Sequence, residues 1–128
     1  PGFSVNVVDS SGWIEFFLAG ANGPRFKPVI DQRTELLVPV IALYEVHKIL
    51  SRKVPAEAVR TCLDVMRMGR VIELTDARAV AAAEVSRQHN LAMADAVMYS
   101  LAREFGATFW TQGVDYQGLP GVQCFAKP

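Results

Sequence analysis

The sequence predicts an α/β fold, a mostly parallel sheet of about five short strands with helices on both faces. Three observations predict it. Apolar-rich runs of strand length recur along the 128 residues. Segments with apolar residues at helical spacing separate them. Gly, Pro, Asp or Thr punctuates most junctions, as helix starts and stops require. Strands that alternate with helices are joined by crossovers, so neighbouring strands run parallel and helices cover both faces.

The elements follow in order. Residues 5–8 (VNVV) read as a buried strand, ended by the cap signal Asp9-Ser10-Ser11-Gly12. Residues 13–19 repeat Trp13, Phe16 and Phe17 at helical spacing, and Gly20 and Gly23-Pro24 end that helix. Residues 25–32 suit another short helix. Residues 35–38 (ELLV) are the second strand, stopped by Pro39. Proline is tolerated in a first helical turn, so Pro39 is expected to open a helix over 40–52 that carries Glu45. A helix over 56–68 stops at Gly69, and 71–74 (VIEL) form the third strand. Thr75-Asp76 cap an alanine-rich helix over 77–89. Residues 91–105 form a helix whose expected core stripe is Ala94, Val97, Met98, Leu101 and Phe105. Residues 107–110 (ATFW) are the fourth strand, 111–120 a loop, and 122–125 a last short strand.

Composition sets limits. Hydrophobic residues make up 51% and charged residues 20%, which excludes a disordered chain and fits one domain over residues 1–128. Pro1 to Ser4 are expected to be a terminal tail or an expression remnant. No apolar run approaches the ~20 residues that span a bilayer. The N-terminus lacks a basic region followed by a long apolar one, so no signal peptide and a cytoplasmic location are expected. Cys62 and Cys124 sit among apolar residues without a CxxC pattern. They read as buried free thiols in a reducing compartment, with a disulfide between them left open. Thirteen basic residues balance thirteen acidic ones. Four acids gathered into one site would leave a mildly basic surface around it, which permits a polyanionic partner.

Four acids are placed to meet. In an open α/β sheet the functional crevice lies beyond the carboxyl ends of the strands. Asp9 follows the first strand and the loop with Asp115 follows the fourth. Asp95 starts the helix that leads into that fourth strand, and Pro39 brings Glu45 near the same edge. Clustered carboxylates repel unless a cation joins them, and an oxygen-only donor set suits Mg²⁺ or Mn²⁺. Each acid also has a plainer role. Asp9 and Asp95 could be helix caps, Glu45 could pair with Lys48 for ~0.2–0.5 kcal/mol, and Asp115 could be a turn residue. Their joint placement favours the common site.

The ordered set VVDSSGWIEFF, VPVIALYEVHKIL, LAMADAVMYSLAREFGATFWT and TQGVDYQGLPGV resembles the PIN-domain ribonucleases, and within them the VapC-type toxins of toxin–antitoxin pairs. The resemblance covers nearly the whole chain and implies one PIN-like domain. By that resemblance the first acid is Asp9, the glutamate Glu45, the third acid Asp95 and the fourth Asp115, all catalytic and metal-holding. Gly113 stands where such proteins usually carry an acid or amide. Ser10 and Thr111 match supporting hydroxyls. The implied activity is Mg²⁺- or Mn²⁺-dependent endoribonuclease cleavage of RNA to a 5′-phosphate and a 3′-hydroxyl. The implied partners are an RNA substrate, a cognate antitoxin and a second copy of the chain, with no membrane. Arg25, Lys27, Arg33, Arg52 and Lys53 are candidates to hold RNA, and His47 and His89 have no assigned role. Trp13, Phe16 and Phe17 belong to the core or line a partner groove. The rival reading is a non-catalytic PIN-like module that binds RNA or a partner through an incomplete acidic site.

Overall fold

The computed structural model describes residues 4–128, so the expectation for Pro1 to Phe3 lies outside the described residues. The strands are β1 (Asn6–Val8), β2 (Leu36–Pro39), β3 (Arg70–Ile72), β4 (Thr108–Thr111) and β5 (Val122–Cys124). The helices are α1 (Ser10–Phe17), α2 (Gly23–Asp31), α3 (Val40–Leu50), α4 (Ala56–Met66), α5 (Asp76–His89) and α6 (Met93–Glu104). The strands form one sheet in the order β3-β2-β1-β4-β5, and every neighbouring pair is parallel. No helix among the described residues is long and apolar enough to cross a membrane.

Every residue of β1 and β2 is buried. Successive strand residues point to opposite faces, so burial of all of them means that both faces are covered. α6 packs against β1, β2 and β4, with α5 laid over it. α2 packs on β1 and α4 on α3. Val7, Val8, Val38, Phe109, Trp13, Phe26 and Met98 lie at the centre of the core, each fully buried.

The chain starts in the middle of the sheet, steps outward through β2 to β3, then crosses back to β4. The direction of winding therefore reverses between β1 and β4. Helices flanking such a reversal splay apart, which opens a crevice beyond the carboxyl ends of those two strands.

Three expectations are corrected. Pro39 is the last residue of β2 and the N-terminal cap of α3, not a residue of its first turn. The buried face of α6 is Ala96, Met98, Tyr99, Leu101 and Ala102, so only Met98 and Leu101 of the predicted stripe belong to it. The reason is that α6 is packed by the sheet on one side and α5 on the other, which buries a broader and rotated arc. Cys62 and Cys124 are free thiols, as expected, but half-buried.

Candidate active site

Parallel pairing puts Val8 beside Trp110, and the Asp9 N–H extends the ladder by donating to the Trp110 carbonyl at 3.0 Å. Asp9 and Thr111 therefore leave adjacent strand ends at the same height. The Thr111 hydroxyl donates to Asp9 Oδ2 at 2.6 Å and accepts the Gly113 N–H at 2.9 Å. Asp9 Oδ1 accepts the Gly12 N–H at 2.9 Å and the Ser11 hydroxyl at 2.8 Å. Asp9 is thus the cap of α1 as well as a floor residue of the crevice, and it is only 3% exposed. Burial raises its pKa from 3.8 to about 6 although three donors oppose that, and the nearby charge of Asp95 adds to the rise.

A helix that leads into a parallel strand runs antiparallel to the sheet, so its first turn lies at the carboxyl edge. Asp95 is the third residue of α6 and stands in that turn. It is not a cap: the capping residue is Ala92, and no side chain caps the helix. Glu45 lies further along α3, and contact across the crevice settles its direction. The Ser10 hydroxyl donates to Glu45 Oε1 at 2.8 Å, with Met98 Sδ behind it at 3.4 Å. Among the described residues Glu45 makes no ion pair with Lys48, whose ammonium instead lies 5.9 Å from the Tyr44 ring centroid.

Asp9, Ser10, Glu45, Asp95, Gly113 and Asp115 line one cavity of about 360 Å³. Asp115 enters from the single-turn helix Val114–Tyr116 and is exposed. The ion pairs among the described residues are Lys27–Asp31, Arg67–Asp64, Arg78–Glu104 and Arg87–Glu84, so none neutralises an acid of this cavity. At Gly113 a Cβ would lie 3.3 Å from the Thr111 hydroxyl and the Tyr116 ring, a tight approach that those groups would have to relieve by a slight shift.

Several contributors are not evident in the sequence. Tyr116 is 2% exposed and packs 4.8 Å from Phe109 between ring centroids. Its hydroxyl is buried close to Asp95 but outside a well-formed hydrogen bond. Burial first, then the charges of Asp9, Asp95 and Glu45, hold that phenol far above its ordinary pKa. Gln112 and Asn22, both buried, join across the wall through a 3.0 Å hydrogen bond. No local sequence pattern marks Asn22 or Gln112 for this wall.

Among the described residues no three His, Cys, Asp or Glu side chains stand in a ready-made metal-ligand cluster. The arrangement nevertheless suits a hard divalent cation. The donors are all oxygen, Asp9 is destabilised as an anion by burial and by Asp95, and the Tyr116 hydroxyl is left without a partner. Hydrogen bonds from Thr111, Ser11 and Ser10 set the carboxylates' present rotamers, and mutual repulsion keeps such groups from closing together unaided.

Comparison with known proteins adds to the geometry. A family model described as PIN domain matches residues 7–120. Among solved structures, a toxin–antitoxin complex from Klebsiella pneumoniae is similar with a TM-score of 0.80 at 14% identity, over 96% of this chain and 99% of that one. A VapC toxin of Mycobacterium tuberculosis that cleaves the sarcin-ricin loop gives 0.70 at 19% identity, over 87% and 90%. A VapBC complex from Rickettsia felis bound to a promoter DNA fragment gives 0.74 at 12% identity, over 94% and 98%. At these identities the likeness is one of fold. No match was found among curated protein sequences.

Proposed function

This chain belongs to the PIN domain family, and we propose that it is a metal-dependent endoribonuclease, the toxin component of a toxin–antitoxin pair acting in the cytoplasm. The observation that carries this reading is the convergence of Asp9, Glu45, Asp95 and Asp115 on one cavity where the winding of the sheet reverses. Asp9 and Asp95 would be the chief holders of Mg²⁺ or Mn²⁺, with Glu45 and Asp115 completing the donor set. When bound, the cation supplies Lewis acidity, lowering the pKa of a water and stabilising charge on phosphoryl oxygens.

The protein's own groups do the rest. Thr111, Ser11 and the Gly12 N–H lock the Asp9 carboxylate in one rotamer. Ser10 holds Glu45 at the mouth, where it accepts a proton from the attacking water. Water adds to phosphorus as the P–O3′ bond breaks, and the departing 3′-oxygen takes a proton from solvent water, leaving a 5′-phosphate and a 3′-hydroxyl. The neutral Tyr116 hydroxyl offers a donor to an oxygen in the cavity. The similar folds found in toxin–antitoxin complexes support an antitoxin as partner, and a second copy of the chain is the other partner proposed.

The test is cleavage of single-stranded RNA with Mg²⁺ or Mn²⁺ and in EDTA. Cation-dependent cleavage that disappears in Glu45→Gln and Asp95→Asn is expected. The glycine at 113 and the lack of a ready-made ligand cluster favour, as the second reading, a non-catalytic RNA- or partner-binding module. RNA affinity without any cation-dependent cleavage would establish that reading instead.

A further inference from the structure

The segment after β5 is tied down at three points. The Phe125 N–H donates to the Thr111 carbonyl at 2.9 Å. Its ring meets Phe26 edge-on at 5.2 Å and Trp110 at 5.9 Å, with the Arg25 guanidinium 5.0 Å from its centroid. The buried Asn22 amide donates to the Ala126 carbonyl at 3.1 Å. These anchors fix where the next residue goes, and Lys127 lines the same cavity as the four acids and a fifth, Glu15. It is the one cationic side chain among that cavity's described lining residues. It is exposed, and among the described residues it forms no ion pair with any carboxylate. The family match ends at residue 120, so this lysine is a feature of the present chain outside the matched span.

A pocket lined by carboxylates repels a polyanion, and a divalent ion offsets only part of that charge. A lysine with its backbone anchored and its ammonium free is a mobile point charge that can follow a phosphate oxygen. We propose that Lys127 binds the RNA backbone phosphate at or next to the cleaved bond and so positions the strand over the acids. This rests on the ribonuclease reading. Backbone contacts of this kind fix register and carry no sequence preference.

The experiment compares Lys127→Gln, Lys127→Arg and the distant control Arg67→Gln. A charge-assisted contact predicts KM for single-stranded RNA raised about tenfold in Lys127→Gln with kcat little changed, restored in Lys127→Arg and unaffected in Arg67→Gln. Binding without turnover is read by anisotropy in the Asp95→Asn background across KCl concentrations. There, adding Lys127→Gln should flatten the salt slope by about 0.7, the share of one single-strand phosphate contact. Unchanged KM and salt slope, or faster cleavage by Lys127→Gln, overturns the proposal. If the native protein cleaves no RNA with either cation while the salt slope still falls, the nuclease reading fails and the phosphate contact stands.

Discussion

Replacing Asp9 with Asn should stabilise the metal-free protein at neutral pH, because Asp9 is an anion almost wholly withdrawn from solvent. It is 3% exposed and its pKa is pushed from 3.8 to about 6. The sign follows from proton linkage. Between those two values the folded chain binds a proton more tightly than the unfolded chain, so stability falls as pH rises. The loss is absent below about 4 and complete above about 6. The gap corresponds to roughly 3 kcal/mol. Asparagine is as good a helix cap as aspartate and still accepts the Gly12 N–H and Ser11 hydroxyl, whereas the Thr111 hydroxyl loses its acceptor for about 1 kcal/mol. The net gain above pH 7 is about 2 kcal/mol, a rise in Tm of roughly 5–10 °C for a chain of this size. At pH 4 that gain is absent and the variant should be slightly less stable, by the roughly 1 kcal/mol lost at Thr111. Thermal melts followed by circular dichroism in EDTA, at pH 4, 6 and 8, measure this directly. A difference between the two proteins that stays constant across that range would refute the account of Asp9 as a buried, destabilised anion.

The same coupling predicts that Mn²⁺ raises Tm above pH 7, by the equivalent of about 2.7 kcal/mol at a hundredfold excess over Kd. That gain should fade as pH falls through about 6 and Asp9 takes a proton. Glu45→Gln should lower the cleavage rate by about 10²–10⁴-fold without moving the urea midpoint, since it removes a proton acceptor and little packing. Ser10→Ala, which frees Glu45 from its 2.8 Å hydrogen bond, should cost about tenfold in the same assay, and Ser10→Thr should recover part of it. Thr111→Val leaves the Gly113 N–H and an oxygen of Asp9 unserved and should cost about 2–3 kcal/mol in urea unfolding. Phe109→Ala, at a fully buried ring between Tyr99 and Tyr116, should cost about 3–5 kcal/mol in that measurement.

Glu45 shows how far sequence could carry the site. Its helical neighbours Ile41, Ala42 and Ile49 are apolar, which argues against a solvated face, and Glu45 is half-buried. What holds it is Ser10, thirty-five positions away and on another helix, a contact no local pattern encodes. Asp95 is legible as an acid beside a core helix, but only the start of that helix at Met93, behind Ala92, decides that it is not a cap. Asn22, Gln112 and Lys127 were silent, because each acquires meaning only from chain remote in sequence.

The sequence by itself determined the alternation of strands and helices, and with it a parallel α/β sheet, because hydrophobic period and turn chemistry act over neighbouring residues. It also determined that three of the acids fall at strand ends or helix starts. The tertiary structure alone decided which strands are neighbours and where the winding reverses. That choice set Asp9 against Thr111, turned Glu45 toward Ser10 and placed Tyr116 and Lys127 at the same cavity. The physical reason is that pairing order is selected by burial summed over the whole core, whereas each of these side chains takes its charge state and direction from atoms that only the completed sheet brings near.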